Sequence, residues 1–429
     1  MSGLEIRWPD ESGERVRAAR GRLEAARPAL ANWAFEDRLD MVARVVDDWT
    51  RADSPWRREL ALSFAETSPF SPGTVAEGLD AALRAWDPAT LVECARRELA
   101  PVLEEGTRRL APFDCTAILA GGALPMPTLL SALLPLILGS PVLLRESSKD
   151  SVTAAALARS LAARDERLAS AFAFLDFPAS DEVALSAFLD APCVVATGSD
   201  ETLKAVGSRL NERQRFVGYG HRFSIGIVGS DQCEKTDSLE SIARGFALDT
   251  ARWDQSGCLS PVVIYLVGLP LLEQARFAAA CSEALEALAA EMPIGNRIAS
   301  AEASTATERA EAEMRAASGR GAIYSGATST VVLEHDAQPR PAPLGRFLRL
   351  MPVTDLTELD RTLRPFDGTL SNAAVAGLNP EHRRELDCLM TRFGVSRITE
   401  PGRLQTPPID WPHDGMPLLV PFSRFVQYD

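Results

Sequence analysis

The chain has 429 residues, enough for two or three domains with sizeable cores, and its 46% hydrophobic and 24% charged residues are typical of soluble globular proteins. Its formal net charge of −14 argues against a general nucleic-acid-binding surface and against attachment to an anionic membrane. The seven scattered cysteines lack CxxC or Cys/His spacing, which argues against a disulfide framework and a metal site, and the charged N-terminus lacks an apolar signal core. We therefore expect a cytoplasmic protein without a bound metal.

The first hundred residues are predicted to be helical and to pack as a layer on a sheet. Residues 35–50, for example, place Leu39, Val42, Val46 and Trp49 on one helical face. No residue pattern in this region indicates chemistry.

An uncharged stretch at residues 123–144 is long enough to suggest a membrane span, but five proline and glycine residues interrupt it. We expect instead a buried helix at residues 127–138, with Pro127 as its first residue and Gly139 as its left-handed end. A buried strand at residues 142–144 then follows, so no membrane span is predicted.

From about residue 113, short aliphatic runs alternate with helical segments. The predicted strands lie at residues 115–120, 142–144, 171–175, 193–197 and 224–228, and the predicted helices between them lie at residues 151–163 and 200–210. This alternation predicts an α/β domain with a mostly parallel sheet. Ligands of such sheets bind at the carboxyl ends of the strands, beside helix N-termini.

Three loops at strand ends are candidate phosphate or cofactor contacts. The loop at residues 121–125 lacks the GxGxxG fingerprint of dinucleotide-binding folds. The loop at residues 145–149 sets cations and hydroxyls at a strand end, and the loop at residues 197–200 offers Ser199 as a helix N-cap. Each loop is equally consistent with an ordinary strand-to-helix connection, which is the more common role.

A basic segment at residues 213–222 holds three arginines and a histidine in an otherwise acidic chain. One interpretation is a tight turn with a solvated basic face, and the other is an anion-binding wall beside an active site. In the second case, His221 can orient a substrate or donate a proton.

The candidate nucleophile is Cys258, in a loop of small residues that precedes the apolar run at residues 262–267. A thiol in a fixed turn beside a strand can accept an acyl group while backbone N–H groups bind the acyl oxygen. The competing interpretation is a small core residue, the more frequent role of cysteine. Cys281 shares the apolar face of a predicted helix at residues 270–292, so it is assigned to the core.

The order of these motifs resembles the aldehyde dehydrogenase superfamily and, within it, the LuxC family of fatty acyl-CoA reductases. The similarity runs from about residue 113 to the end of the chain. The segments that carry it are ATGSDET at 196–202, RFVGYGHR at 215–222, QSGCLSP at 255–261, QTPP at 405–408 and WPHDG at 411–415. The resemblance implies an α/β fold of the aldehyde dehydrogenase type, with a Rossmann-type cofactor domain and an α/β catalytic domain.

On this basis we predict four regions. Residues 1–110 form an N-terminal helical region that packs on the cofactor domain, and residues 111–228 form the NAD(P)-binding α/β domain. Residues 229–400 form the catalytic domain, and residues 401–429 form a C-terminal return and oligomerisation segment. Members of the superfamily usually form dimers or tetramers through C-terminal strands, so residues 418–428 are expected to contribute to a homo-oligomer.

The resemblance also assigns roles. Cys258 attacks an acyl thioester carried by CoA or by an acyl carrier protein, NADPH or NADH delivers hydride to the enzyme-bound thioester, and the thiohemiacetal collapses to the aldehyde. His221 is the second catalytic candidate, and Arg222 and Gln255 are candidate substrate or anion contacts. The implied cofactor contacts are Gly122, Leu124, Pro125, Arg145, Ser147, Ser148, Thr197, Gly198 and Ser199.

Three departures from relatives bear on function. Aldehyde-oxidising relatives carry a water-activating glutamate in the segment that matches residues 216–221, and this chain has no carboxylate there, which favours reduction. Ala123 replaces an asparagine whose amide binds the oxyanion, and loss of one such donor costs about 10²–10³ in rate. Arg145 replaces a lysine that contacts the adenosine ribose, and a guanidinium suits the 2′-phosphate of NADPH.

Two further classes of function stay open at this point. One is a cysteine acyltransferase or thioesterase that binds no nicotinamide. The other is a catalytically silent relative that serves as a binding or scaffold subunit.

Overall fold

Aliphatic runs of the chain form the strands of two sheets, and helical segments cover the faces of these sheets. The computed structural model describes residues 11–103, 108–231 and 236–428. The charged N-terminus and Cys233, one of the seven cysteines, lie outside the described residues.

The helices of the described residues are, in chain order, α1 (Glu11–Ala31), α2 (Phe35–Thr50), α3 (Pro55–Thr67), α4 (Pro72–Arg84), α5 (Pro88–Leu103), α6 (Pro125–Leu138), α7 (Thr153–Arg164), α8 (Glu166–Ser170), α9 (Glu182–Leu189), α10 (Asp200–Gly207), α11 (Thr236–Ala251), α12 (Leu271–Leu288), α13 (Ala299–Ala317), α14 (Leu356–Leu363) and α15 (Pro380–Arg392).

The strands of the described residues are, in chain order, β1 (Arg108–Ala111), β2 (Thr116–Leu119), β3 (Val142–Arg145), β4 (Phe172–Leu175), β5 (Cys193–Thr197), β6 (Arg215–Tyr219), β7 (Phe223–Gly229), β8 (Pro261–Val267), β9 (Gly321–Ser325), β10 (Thr330–Glu334), β11 (Phe347–Val353), β12 (Leu370–Ala376), β13 (Arg397–Thr399) and β14 (Arg424–Gln427).

The chain divides into two units. The first unit consists of Met1–Trp49, Pro88–Gly220 and Pro417–Asp429, and the second unit consists of Thr50–Asp87 and His221–Met416. This division differs from the predicted regions mainly at residues 50–87. These residues, which include α3 and α4, belong with the candidate nucleophile, because the Trp253 ring packs closely over Gly78 of α4.

The first unit contains a parallel five-stranded sheet in the order β4-β3-β2-β5-β6. Its central strands are buried along their length, as expected for a parallel sheet covered by helices. Val16 of α1 and Phe188 of α9 pack against Ala117, Leu143 and Val194 of the sheet. The predicted α/β architecture of this region is confirmed.

Two local predictions in the first unit need correction. Helix α6 begins at Pro125, two residues earlier than predicted, because Pro125 takes the first helical position that was assigned to Pro127. It ends at Gly139, with φ +87°, as predicted. Arg215–Tyr219 forms the edge strand β6 and not a turn, because it pairs in parallel with β5 along its whole length, from Arg215 beside Cys193 to Tyr219 beside Thr197.

The uncharged stretch at residues 123–144 forms α6 and β3 inside this unit. Within the described ranges, no helix has both the length and the apolar character to cross a membrane. Near the C-terminus, β14 pairs antiparallel with β1 of the same chain. Phe425, Val426 and Tyr428 are exposed there, and the homo-oligomer stays a prediction.

The second unit contains a seven-stranded sheet in the order β13-β12-β7-β8-β11-β10-β9. All neighbouring pairs are parallel except β9 and β10. Helices α11 and α12 cover one face, where Phe246 and Phe277 meet edge to face, and α14 and α15 cover the other. Cys281 is fully buried in the first of these layers, so its assignment to the core is confirmed.

Candidate active site

The three candidate cofactor loops lie side by side in the first unit. They follow β2, β3 and β5, which are neighbours in the parallel sheet, so the loops share its carboxyl edge. Two of them pack closely, because a Cβ at Gly121 would overlap the carbonyl oxygen of Thr197. Another contact is the Ser147 hydroxyl, which donates to the Gly122 carbonyl at 2.6 Å. The structure thus brings together the loops of Gly122 and Thr197, which are 75 positions apart in sequence.

Two helices begin directly at these loops. Leu124 occupies the N-cap position of α6 and offers no side-chain cap. Because Pro125 and Pro127 carry no N–H, only the N–H groups of Leu124 and Met126 remain at this helix start to face an anion. Gly122 precedes it in the left-handed region, with φ +83° and open space where a Cβ would be. In the third loop, the Ser199 hydroxyl accepts a hydrogen bond from the Thr202 N–H at 3.3 Å, so its predicted N-cap role is confirmed.

The second loop combines a cation with a buried carboxyl group. The Nε of Arg145 donates to the Phe177 carbonyl at 3.0 Å, and its guanidinium carbon lies 5.3 Å from the centroid of the Phe177 ring. Burial raises the pKa of Glu146 to about 7, and the charges of Asp150 and Asp176 add to this effect. Burial lowers the pKa of Arg145, and the charge of Asp176 acts against this shift.

Cys258 lies in the second unit, in a tight turn just before β8. The Ser260 N–H donates to the Gly257 carbonyl at 3.0 Å, which closes the turn. The Ser224 hydroxyl at the start of β7 donates to the Cys258 carbonyl at 2.8 Å, which fixes the turn to the neighbouring strand. The residue is exposed to solvent, unlike the fully buried Cys281. The turn lies at the amino edge of the seven-stranded sheet.

The electrostatic surroundings of the thiol favour its neutral form. Although the residue is exposed, desolvation by the protein around its sulfur raises the pKa of Cys258 to about 11, and the charge of Asp414 raises it further. The backbone N–H groups of Cys258 and Leu259 oppose this shift in the pKa, because they stabilise the thiolate.

Arg222 and Asp414 form an ion pair at the same edge of the sheet. The Nε of Arg222 lies 3.2 Å from Oδ1 of Asp414, and its Nη1 donates to the Gly368 carbonyl at 2.9 Å. Asp414 has a left-handed backbone, with φ +54°. A substrate contact by Arg222 stays a prediction, and any such contact shares the guanidinium with Asp414.

His413 neighbours this pair and was not singled out as a site residue from the sequence. Its Nε2 lies 3.9 Å from Oδ1 of Asp414, and its ring centroid lies 4.9 Å from that of Trp411. Burial lowers the pKa of His413; the charge of Asp414 acts against this shift, and the charge of Arg222 adds to it. The WPHDG segment was the available signal, because it is one of the segments that carry the resemblance to the LuxC family.

Of the other predicted site residues in the second unit, His221 is exposed and its catalytic role stays a prediction. Gln255 lies inside the unit. Its side chain is fully buried, and its amide nitrogen donates to the Pro261 carbonyl at 2.9 Å and to the Phe347 carbonyl at 3.0 Å. Gln255 therefore holds the loop internally, and a substrate contact by this residue stays a prediction.

Asp414→Asn is expected to lower the pKa of Cys258. Asparagine tolerates the left-handed backbone and keeps a hydrogen-bond acceptor for Arg222, but it removes the negative charge that disfavours the thiolate. We expect the midpoint of the pH profile for Cys258 alkylation to fall by about 0.5–1 pH unit. Iodoacetamide labelling, quantified on the Cys258 peptide by mass spectrometry between pH 7 and pH 11, measures this shift.

Asp360→Asn is the control for this experiment, because Asp360 pairs with Arg364 and Arg392 on the surface of the same unit. Its midpoint is expected to equal that of the unmodified protein. A midpoint that stays constant or rises in Asp414→Asn contradicts the assigned influence of Asp414.

Comparison with known proteins gives a family match over nearly the whole chain. The family model described as Acyl-CoA reductase (LuxC) matches residues 30–426. The long-chain acyl-protein thioester reductase of Aliivibrio fischeri is 24% identical over 329 residues, which cover 74% of this chain and 64% of the relative. The match thus spans less than two thirds of that relative's length.

Solved structures show the same fold at low identity. Aldehyde dehydrogenase C (AldC) from Pseudomonas syringae, in complex with NAD+ and octanal, has a TM-score of 0.68 at 16% identity, with 90% of this chain and 81% of that chain covered. An oxidoreductase from Marinobacter aquaeolei has a TM-score of 0.71 at 16% identity, covering 96% and 90%. An NADP dependent enzyme of E. coli has a TM-score of 0.70 at 14% identity, covering 96% and 89%.

These likenesses confirm the predicted α/β fold of the aldehyde dehydrogenase type. The family model accounts for all but the first 29 and last three residues of the chain. The chain belongs to the LuxC acyl-CoA reductase family.

Proposed function

We propose that this protein reduces an acyl thioester to an aldehyde with NADPH or NADH, through an S-acyl intermediate on Cys258. The observation that carries the proposal is an exposed thiol in a fixed turn, with two backbone N–H groups at its sulfur. The family, described as acyl-CoA reductase, and the A. fischeri relative, named as an acyl-protein thioester reductase, support the same class of reaction.

The covalent chemistry begins when the Cys258 thiolate attacks the carbonyl carbon of the acyl thioester. The carrier thiol leaves with a proton, and the acyl group is then bound to the Cys258 sulfur. When bound, the reduced nicotinamide supplies one hydride equivalent to that carbonyl carbon. The resulting thiohemiacetal on Cys258 loses its C–S bond, which releases the aldehyde and regenerates the thiolate. Overall, one acyl thioester, one reduced cofactor and one proton give aldehyde, free thiol and oxidised cofactor.

The residues of the first unit fit a nicotinamide dinucleotide. Gly122 is left-handed with open space beside it, so a pyrophosphate can approach the backbone there, and the N–H groups of Leu124 and Met126 at the start of α6 are the donors beside it. Ser147, Ser148, Thr197, Gly198 and Ser199 line the adjoining loops on the same sheet edge. The guanidinium of Arg145, which ends β3, is the group in the second loop that suits the extra phosphate of NADPH.

Ala123 stands at the position where relatives have an asparagine, so this chain lacks that side-chain oxyanion donor. The N–H groups of Cys258 and Leu259 belong to the nucleophile's own turn and can take over this role without any side chain. We propose that they are the main oxyanion donors in this protein. The absence of a carboxylate at residues 216–221 supports reduction, since hydride and not water then resolves the intermediate.

The carrier of the acyl group is proposed to be an acyl carrier protein or CoA. The A. fischeri relative is named for acyl-protein thioesters, which favours a protein carrier, and the family description names acyl-CoA. Both carriers present the acyl group as a thioester of the same phosphopantetheine arm, so the chemistry at Cys258 is common to them.

A steady-state assay tests this function. The purified protein is incubated with acyl-CoA of several chain lengths or with acyl carrier protein, and with NADPH or NADH, while the absorbance of the reduced cofactor and the release of thiol are followed. We expect cofactor oxidation and thiol release in a one-to-one ratio, faster with NADPH. Thiol release without cofactor oxidation at every chain length supports a thioesterase or acyltransferase, and absence of both signals supports a silent relative.

A further inference from the structure

The segment immediately before the Cys258 turn has an unusual backbone. Trp253, Asp254 and Gln255 have φ values of +56°, +46° and +62°, so three consecutive residues with side chains occupy the left-handed region. Each such residue is disfavoured by contact between its Cβ and the following carbonyl oxygen. Left-handed strain of this kind persists only where surrounding contacts hold it, and it clusters at functional sites.

A second segment of the same conformation precedes β11, which is the neighbour of β8 in the sheet. Leu344, Gly345 and Arg346 have φ values of +63°, +66° and +64°. Arg346 and Gln255 are both fully buried. The two left-handed segments therefore lie at the amino ends of adjacent strands.

Side chains connect the two segments directly. Nε of Arg346 donates to Oδ1 of Asp254 at 2.9 Å, and its Nη2 lies 2.7 Å from the same oxygen. The next residues of the chain, Gln255 and Phe347, are also joined: the N–H of Phe347, the first residue of β11, donates to the side-chain carbonyl of Gln255 at 2.9 Å. The Gln255 amide nitrogen donates back to the Phe347 carbonyl at 3.0 Å. Because the segments are bound at two successive positions, neither can relax to a right-handed turn alone.

Further contacts fix this pair of segments to the rest of the unit. Oδ2 of Asp254 accepts the Gly295 N–H at 3.0 Å, and Nη2 of Arg346 donates to the Met292 carbonyl at 2.7 Å. On the other side, the Trp253 ring packs edge to face with Phe70, with centroids 5.4 Å apart. The carboxylate of Asp254 is thus the point at which three separate parts of the chain meet.

Stability alone does not account for this buried ion pair. Replacing a buried pair by apolar residues of similar volume is often neutral or stabilising, so burial of charge is weak evidence of a stabilising role. The Asp254–Arg346 pair instead holds a strained backbone four residues before the nucleophile. The Cys258 turn follows directly, and its direction is set by the backbone that leads into it.

We propose that Asp254 and Arg346 are positioning residues that hold the left-handed segment and thereby aim the Cys258 turn, so that the N–H groups of Cys258 and Leu259 face the sulfur and the acyl oxygen. This role deepens the proposed function and rests on it. Neither residue touches substrate; both act through the geometry of the turn.

Asp254→Asn is the primary test, because asparagine keeps the size of the side chain and tolerates a left-handed backbone. The rate of Cys258 alkylation by iodoacetamide at pH 8.5, measured on folded protein, is expected to fall about tenfold. The rate of acyl transfer from acyl-CoA to Cys258 is expected to fall about a hundredfold, which is the lower end of the rate loss when one oxyanion donor is removed. Alkylation requires neither cofactor nor thioester, so its outcome is independent of whether the protein is a reductase.

The Arg349–Glu308 pair provides a matched control in the same sheet. Its side chains are 1% and 9% exposed, against 0% and 10% for Arg346 and Asp254, but it joins β11 to α13 away from the Cys258 turn. Glu308→Gln is expected to lower the melting temperature while alkylation and acylation of Cys258 keep their normal rates.

Asp254→Asn leaves the charge of Arg346 unpaired and buried, so a second variant is used if the Asp254→Asn protein does not fold. The double variant Asp254→Asn/Arg346→Met removes both charges and keeps an apolar side chain of similar length. We expect the same loss of Cys258 reactivity in this folded protein. If either folded variant alkylates and acylates Cys258 at the normal rate, as Glu308→Gln does, the positioning role is overturned.

Discussion

Replacing Cys258 by alanine is expected to abolish both covalent acylation and aldehyde formation. The thiol is the protein group that bonds to the acyl carbon in the proposed reaction, and the hydroxyls of Ser256 and Ser260 in the same segment are much weaker nucleophiles than a thiolate. After incubation with acyl-CoA in the absence of NADPH, intact-mass analysis should show one acyl adduct on the unmodified protein and none on Cys258→Ala.

Cys281→Ala is the matched control. Cys281 is fully buried among the side chains of α11 and α12, and burial raises the pKa of its thiol well above the usual range, so it is inert toward an acyl group. Cys281→Ala should acylate normally, with a loss of stability of about 1–2 kcal/mol from the small cavity it leaves. An adduct that disappears in Cys281→Ala and persists in Cys258→Ala would refute the assignment of the nucleophile.

Gly121→Ala is expected to have the second largest effect, on cofactor binding. A Cβ at this position would overlap the carbonyl oxygen of Thr197, and backbone atoms on both sides must move to admit it. Because Gly121 and Thr197 belong to two of the three candidate cofactor loops, the loops are forced apart. We expect the dissociation constant of NADPH to rise more than about tenfold, equivalent to about 1.4 kcal/mol, and the protein to lose about 1–3 kcal/mol of stability.

Fluorescence titration with NADPH and thermal unfolding measure these two effects. Gly21→Ala, on the exposed surface of α1 with no atom near its added Cβ, is the control and should bind NADPH normally. Equal affinities for NADPH in Gly121→Ala and Gly21→Ala would show that the loops around Gly121 and Thr197 do not form the cofactor site.

Much of the fold was accessible from the sequence because its strands are short and almost wholly apolar. The run Cys193–Thr197 is a strand with the same bounds in the structure, and Gly139 ends α6 as its left-handed conformation requires. Once the parallel sheet was predicted, the meeting of three loops at its carboxyl edge followed from the geometry of such sheets. The meeting of the three candidate loops was therefore predictable from strand ends alone.

The nucleophile side was less accessible, because its geometry depends on contacts between residues far apart in sequence. Gln255 is polar and adjoins the nucleophile, so a substrate contact was a reasonable expectation. Its partner Phe347 is 92 residues away, and the left-handed backbone that turns the side chain inward has no glycine to indicate it. Local residue patterns do not encode such an arrangement.

Helix α13 was missed for a different reason. Its sequence is rich in alanine and glutamate and has no apolar stripe, so helical spacing of hydrophobic residues could not reveal it. It binds the sheet through charge, with Glu308 paired to the buried Arg349. The pairing becomes visible only when β11 and α13 are seen together in the fold.

A single-turnover experiment tests the central claim most directly. Acyl-enzyme is prepared by incubation with acyl-CoA, separated from excess thioester, and then mixed with NADPH, while the Cys258 adduct and the products are followed by mass spectrometry. The account predicts that the adduct disappears as one equivalent of aldehyde and one of oxidised cofactor form. An adduct that stays on Cys258, or that is released as the free acid without cofactor oxidation, would contradict it.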